Sequence, residues 1–232
     1  MWQLPSVSAS DVLFYDGFSS RKLNLRNWGY DLGDGCDIGF CGWGNQERQV
    51  YTKESVKTDI TTRDKFTFKY GRVDVRARLP IEDGAFPAIW MMPQNSTYGI
   101  WPKSGEIDIT ECQSLWRTCI WPARIRTPGS LHYAQRFGAT THSFWAEGND
   151  PSRWHIYSLI WRPDSIEFQL DGRTYGKHQP TNVTDPDAWP FNQPFYLLIN
   201  LAVEPGWGMK APQSLKKMTM DVDWIRVTSL QP

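Results

Sequence analysis

"WHIYSLIWRPDSIEFQLDGRTY", Trp154 to Tyr175, decides the fold. Runs rich in β-branched and aromatic residues flank Arg162-Pro163-Asp164, and Asp171-Gly172 opens a third run. Short runs of this kind between Pro, Asp and Gly read as strand, turn, strand. Upstream, "YGRVDVRARLP" alternates from Tyr70 to Leu79 as a half-buried strand does. Downstream, "PFYLLINLAV" is continuously apolar and predicts a central strand buried on both faces. "MTMDVDWIRV" alternates again near the C-terminus. No segment keeps a helical period over three turns, and there is no repeat or linker. The expectation is an all-β sandwich of two antiparallel sheets, with residues 1–232 forming one domain.

Composition narrows the function. Lys plus Arg and Asp plus Glu number 25 each, with no basic run, so nucleic acid is not an expected partner. The longest apolar runs, such as Phe195 to Val203, are too short to span a bilayer, so no membrane association is expected. The 13 Trp residues fit either a large aromatic core or a carbohydrate cleft, and composition weighs the two equally. Cys36, Cys41, Cys112 and Cys119 form two close pairs. They fit two local disulfides in an oxidising compartment, with four free thiols as the alternative. Sequons at Asn95 and Asn182 are compatible with secretion. Met1 to Ser10 has neither a basic n-region nor an apolar h-region. The expected location is therefore extracellular, with no signal peptide in this chain.

The chemistry is carried by "WPKSGEIDITE", Trp101 to Glu111. On a strand, Glu106 and Asp108 share one face and Ile107 and Ile109 the other. Glu111 has the wrong parity, and a β-bulge near Thr110 returns it to the acidic face. Three like charges side by side repel, so the arrangement gains nothing in stability. Glycoside hydrolysis does need it: one ionised and one protonated carboxyl must face the same bond. With the bulge, Glu106 and Glu111 lie about four strand steps apart, roughly 13 Å between Cα atoms. Side chains leaning inward close that to about 5–6 Å, the spacing of retaining enzymes. Asp108, between them, shares the titration of the group. The alternative is a solvated acidic edge strand.

"GEIDITE" resembles the catalytic strand of glycoside hydrolase family 16 in its bulged E-x-D-x-x-E form. "CGWGNQERQVYT", "KFTFKYGRVDVRARLP", "FPAIWMMP", "GSLHY", "WPFNQPFYLLINLAV" and "MDVDWIRV" follow in family order. Together they resemble the laminarinase-like, endo-β-1,3-glucanase branch over nearly the whole chain. The resemblance implies a jelly roll of two bent antiparallel sheets with a concave substrate cleft. It implies retaining cleavage of β-1,3-glucan: Glu106 as nucleophile, Glu111 as acid/base, Asp108 tuning the pair. It assigns substrate contacts to Asn45, Arg76, Trp90, Trp101, His132 and Asn200. It implies no cofactor for the chemistry, a structural Ca²⁺ at Asp223, a β-glucan polysaccharide partner and a monomer. The alternatives are an inactive β-glucan recognition protein, or a family enzyme acting on mixed-linkage glucan, on agarose or as a transglycosylase. The chain departs from the family at Val56-Lys57, where a strand and turn are missing. It departs again at Cys112–Thr127, whose two Trp and three Arg suggest a lid or subsite wall.

Overall fold

The computed structural model describes residues 8–20, 22–52, 59–112, 126–135, 138–204, 211, 213 and 217–230. Among the described residues, thirteen strands carry the fold. In chain order they are β1 (Val12–Asp16), β2 (Gly29–Asp31), β3 (Asp59–Thr61), β4 (Gly71–Arg78), β5 (Ala85–Pro93), β6 (Glu106–Glu111) and β7 (Arg126–Gln135). β8 (Gly138–Glu147), β9 (His155–Arg162), β10 (Ser165–Leu170), β11 (Arg173–His178), β12 (Phe195–Val203) and β13 (Asp221–Thr228) complete the set. Helical structure among the described residues amounts to three short 3-10 turns. No helix there is long and apolar enough to cross a membrane.

The central meander forms as its turns dictate. Pro163 and Asp164 separate β9 from β10, which pair in register from Arg162↔Ser165 to Tyr157↔Leu170. Between β10 and β11, Asp171 and Gly172 both take positive φ, 50° and 76°. That is the requirement of a two-residue hairpin loop whose twist matches its strands, and Asp-Gly meets it. These strands belong to a six-stranded sheet ordered β1-β13-β4-β9-β10-β11. A seven-stranded sheet, β2-β3-β12-β5-β6-β7-β8, packs against it. All paired neighbours are antiparallel. The molecule is a jelly-roll sandwich.

Alternation sets the core. Val73, Val75, Ala77, Leu159, Trp161, Ile166 and Phe168 face inward from the first sheet. Ile89, Met91, Ile107, Leu131, Leu197 and Ile199 face them from the second. Each fully buried residue of this size contributes about 1.5–3 kcal/mol. Much of the aromatic content serves this core: Trp28, Trp161 and Trp189 are fully buried. On β7 a Cβ on Gly129 would lie 2.4 Å from the Phe168 ring of the facing sheet, so only glycine fits. β12 is buried over most of its length, as its largely apolar run predicts, and sits between β3 and β5.

Cys36 is bonded to Cys41, and Cys112 is also in a disulfide. Cys119 lies outside the described residues. So does the shortened stretch at Val56-Lys57. The nearest strands, β2 and β3, have three residues each, and β2 is the edge strand there. A short edge offers little to a neighbouring molecule.

Candidate active site

β6 carries the bulge. Against β5, Met91 faces Ile107 and Trp90 faces Asp108, but Ile89 faces Thr110. Ile109 is therefore the extra residue, one position before the place the parity argument gave. Ile107 and Ile109 are fully buried in the core. Beyond the bulge Thr110 turns inward, its hydroxyl without a hydrogen-bond partner among the described residues. Glu111, opposite Ala88, rejoins Asp108 on the outer face. The lead-in is built for this. The Ser104 hydroxyl accepts the Tyr98 N–H and donates to the Gly99 carbonyl. Gly105 takes φ 86°, where a Cβ would press on Phe191.

Glu106 faces His132 across β6 and β7, and His132 Nε2 lies 2.9 Å from Asp108 Oδ2. The Nδ1 of His132 meets the Thr141 hydroxyl at 3.0 Å. Donor atoms of Glu106, Asp108 and His132 all lie within 4.8 Å of one another. It is the one group of three or more metal-capable side chains found among the described residues.

The electrostatics follow from burial. Desolvation, then the charge of Asp108, pushes Glu106 up to about 8, although His132 and the Trp101 N–H oppose this. Desolvation, then Asp108, Glu106 and Glu47, pushes Glu111 well above the usual carboxylate range. Burial works against a charged His132, but Asp108, Glu106 and Glu111 outweigh it and raise its pKa to about 9. The protons belong to the group rather than to single residues.

Other expected residues gather here. Trp101, 55% exposed, donates its indole N–H to Glu106 Oε2. Trp90 donates to Asn200 Oδ1 at 2.9 Å, and Asn200 Nδ2 donates to the Tyr51 hydroxyl at 3.2 Å. Asn45 donates to Glu47 at 3.1 Å, and the charge of Glu47 reaches Glu111. Sequence reasoning missed Glu47, Gln49 and Tyr51. The signal was present: Asn45, Glu47, Gln49 and Tyr51 alternate with the exposed Gln46, Arg48 and Val50. That is the two-residue period of an extended segment with one face turned inward.

Two expectations are corrected. Arg76 lies on β4 in the opposite sheet. Its neighbours Val75 and Ala77 fill the core, so Arg76 points to the far surface. There it pairs with Asp223 and lies 4.6 Å over the Trp154 ring. It contacts no carboxyl of β6. Asp223 in turn has its carboxylate held by a guanidinium, and it is in no group of three or more metal-capable side chains among the described residues. A cation would have to displace Arg76, so these residues do not fit a Ca²⁺ site. Most of Cys112–Thr127 lies outside the described residues.

A jelly roll with a bulged strand presenting two glutamates and an aspartate defines a carbohydrate-cleaving type of site. The comparisons agree: residues 41–226 match Glycosyl hydrolases family 16, and the chain belongs to that family. Over 96% of its length it is 32% identical to a glucan endo-1,3-beta-glucosidase A1 of Niallia circulans, spanning 38% of that longer protein. It is 31% identical to a beta-glucanase of Rhodothermus marinus, with 94% of this chain and 83% of that one covered. The laminarinase of Flavobacterium sp. UMI-01 superposes with a TM-score of 0.78 at 29% identity, covering 94% of this chain and all of the other.

Proposed function

We propose that this chain hydrolyses internal β-1,3-glucosidic bonds of laminarin-type glucans with retention of configuration. The bulge at Ile109 carries the reading, because it places Glu111 on the face of Glu106 and Asp108. Glu106 attacks the anomeric carbon while Glu111 gives its proton to the glycosidic oxygen. The glycosidic C–O bond breaks, its electron pair goes to the leaving sugar, and a glycosyl ester forms on Glu106. Glu111 then takes a proton from water, whose oxygen attacks the same carbon and releases Glu106.

The raised pKa of Glu111 suits a group that must arrive protonated. Glu106 must lose its proton to attack, a step that burial and the neighbouring Asp108 oppose. Trp101 and His132 favour the resulting carboxylate. Asn45, Trp90, Trp101 and Asn200 hold the sugars, and this chemistry uses no cofactor. The protein acts outside the cell as a monomer and a single domain, a setting that its disulfides suit.

The test is product analysis on laminarin, lichenan, agarose and xyloglucan, with the anomer released first followed by NMR. Short laminari-oligosaccharides of β configuration from laminarin are expected. Release of the α anomer first, or laminarin bound but uncut, overturns the reading.

A further inference from the structure

We infer that Tyr51 is a positioning residue, whose buried hydroxyl locks the amide of Asn200 and ties the Asn45–Tyr51 segment to the floor of the cleft. The inference rests on the sugar-holding role proposed above for Asn200 and Trp90. Tyr51 is 2% exposed and Asn200 9%. The indole N–H of Trp90 can only donate, so it fixes which end of the Asn200 amide faces it. The other end, Nδ2, must then meet Tyr51, as it does at 3.2 Å. An asparagine amide has two N–H groups and two oxygen lone pairs. Trp90 and Tyr51 take one of each, which leaves one donor and one acceptor for a sugar hydroxyl, already aimed.

The same hydroxyl is hydrogen-bonded by Gln49. Gln49 in turn donates to Glu47 and accepts the Val203 N–H at 2.8 Å. Glu47 holds Asn45. One phenol thus joins the segment bearing Asn45 and Glu47 to β12 and, through Asn200, to Trp90 on β5. Its ring packs beside Trp43, with centroids 5.4 Å apart. Fixing these groups before substrate arrives removes an ordering penalty from binding. The gain applies equally to the bound substrate and the transition state, so it shows in KM and not in kcat.

Tyr51→Phe keeps the ring and deletes only the hydroxyl. On laminari-oligosaccharides its KM is expected to rise about three- to tenfold, the effect of one buried hydrogen bond. The kcat should stay within about twofold. Because part of its effect passes through Asn200, Tyr51→Phe should raise KM by a smaller factor in the Asn200→Ala background than in the wild type. An unchanged KM, a fall in kcat alone or additive losses in the double variant overturn the proposal. Backbone hydrogen exchange over residues 45–51 needs no substrate and separates this idea from the proposed activity. Faster exchange in Tyr51→Phe supports the clamp even if the wild type cleaves no glucan. Unchanged exchange overturns it.

Discussion

Each outer face of the sandwich carries a buried acid, and the two are treated in opposite ways. On the six-stranded sheet, Asp74 is fully buried but surrounded by donors. Arg72 Nε reaches its two oxygens at 2.8 and 3.1 Å, Arg226 lies at 3.1 Å and the Ser158 hydroxyl at 2.7 Å. On the seven-stranded sheet, Asp108 is equally buried, but its nearest charged neighbours are Glu106, Glu111 and one histidine. The first cluster is compensated and serves the fold. Among the described residues the second has only His132 to offset its charge, so Glu106 and Glu111 hold protons that water would remove. Stability does not select such a group, and a reaction that needs a proton donor beside a carboxylate does.

The comparison breaks if substitutions on the two faces have similar effects. Glu111→Gln removes the proposed acid/base and should lower kcat on laminarin by about 10²–10⁴-fold. Glu106→Gln, which also removes the ester-forming oxygen, should lower it at least as far. Both should still bind oligosaccharide, by calorimetry. On the other face Asp74→Asn should leave kcat near wild type. It strands Arg72 and Arg226 beside a neutral amide, and destabilisation of about 3 kcal/mol is expected from denaturant melts. Catalytic loss in Asp74→Asn without destabilisation, or near wild-type turnover in either glutamine variant, would contradict the division.

The pH dependence of stability sharpens it. Glu106 and Glu111 have folded pKa values above the ordinary carboxyl value, so above about pH 4.5 the folded state keeps protons that the unfolded chain releases. The contribution of Glu106 is lost as pH rises through about 8. His132 behaves likewise: its contribution is complete below about pH 6.5 and lost as pH rises through about 9. The hairpin on the other sheet has the opposite sign. Burial opposes the charge of Asp171, but hydrogen bonds from His155 and the Ile156 N–H hold its pKa below the usual value. That contribution is lost as pH falls through the folded pKa. Glu106→Gln should therefore melt above wild type at pH 8 and converge with it near pH 4, by calorimetry. A wild-type margin at pH 8 would mean that the carboxyl is not destabilised.

How far the sequence could be read depends on the range of the forces involved. The hairpin from Trp154 to Tyr175 was legible because period, turn residues and register are local. Glu106, Asp108 and the return of Glu111 were legible for the same reason, since a parity break within one strand is visible in six letters. The exact bulge was not, because Ile109 and Thr110 compete for the core and the choice depends on how β5 packs. Arg76 was misplaced by a motif match, although its own alternation with Val75 and Ala77 showed that it leaves the core on the sheet's far side. Which of the two sheets that strand would join is a long-range fact. Asp223 failed likewise, because its partner Arg76 is 147 residues away. The role of Tyr51 depends on Asn200, which no local pattern connects to it.

The smallest expected effect lies at the edge of the cation-poor cluster. When His132 is protonated, both ring nitrogens donate: Nε2 to Asp108 and Nδ1 to the Thr141 hydroxyl. The Thr141 contact orients the ring that supplies the cluster's one nearby positive charge among the described residues. Thr141→Val keeps the β-branched shape favoured on β8 and removes only the acceptor. The position is exposed, so water replaces part of the lost bond, and about 0.5–1 kcal/mol remains. That should lower kcat/KM by about two- to fivefold. It should also move the acidic limb of the activity profile upward, because a less firmly held imidazolium gives Glu106 less help in losing its proton. A compensated cluster would absorb the change, as the multiple donors around Asp74 would. An acidic limb that does not move in Thr141→Val would show that His132 is held by Asp108 alone.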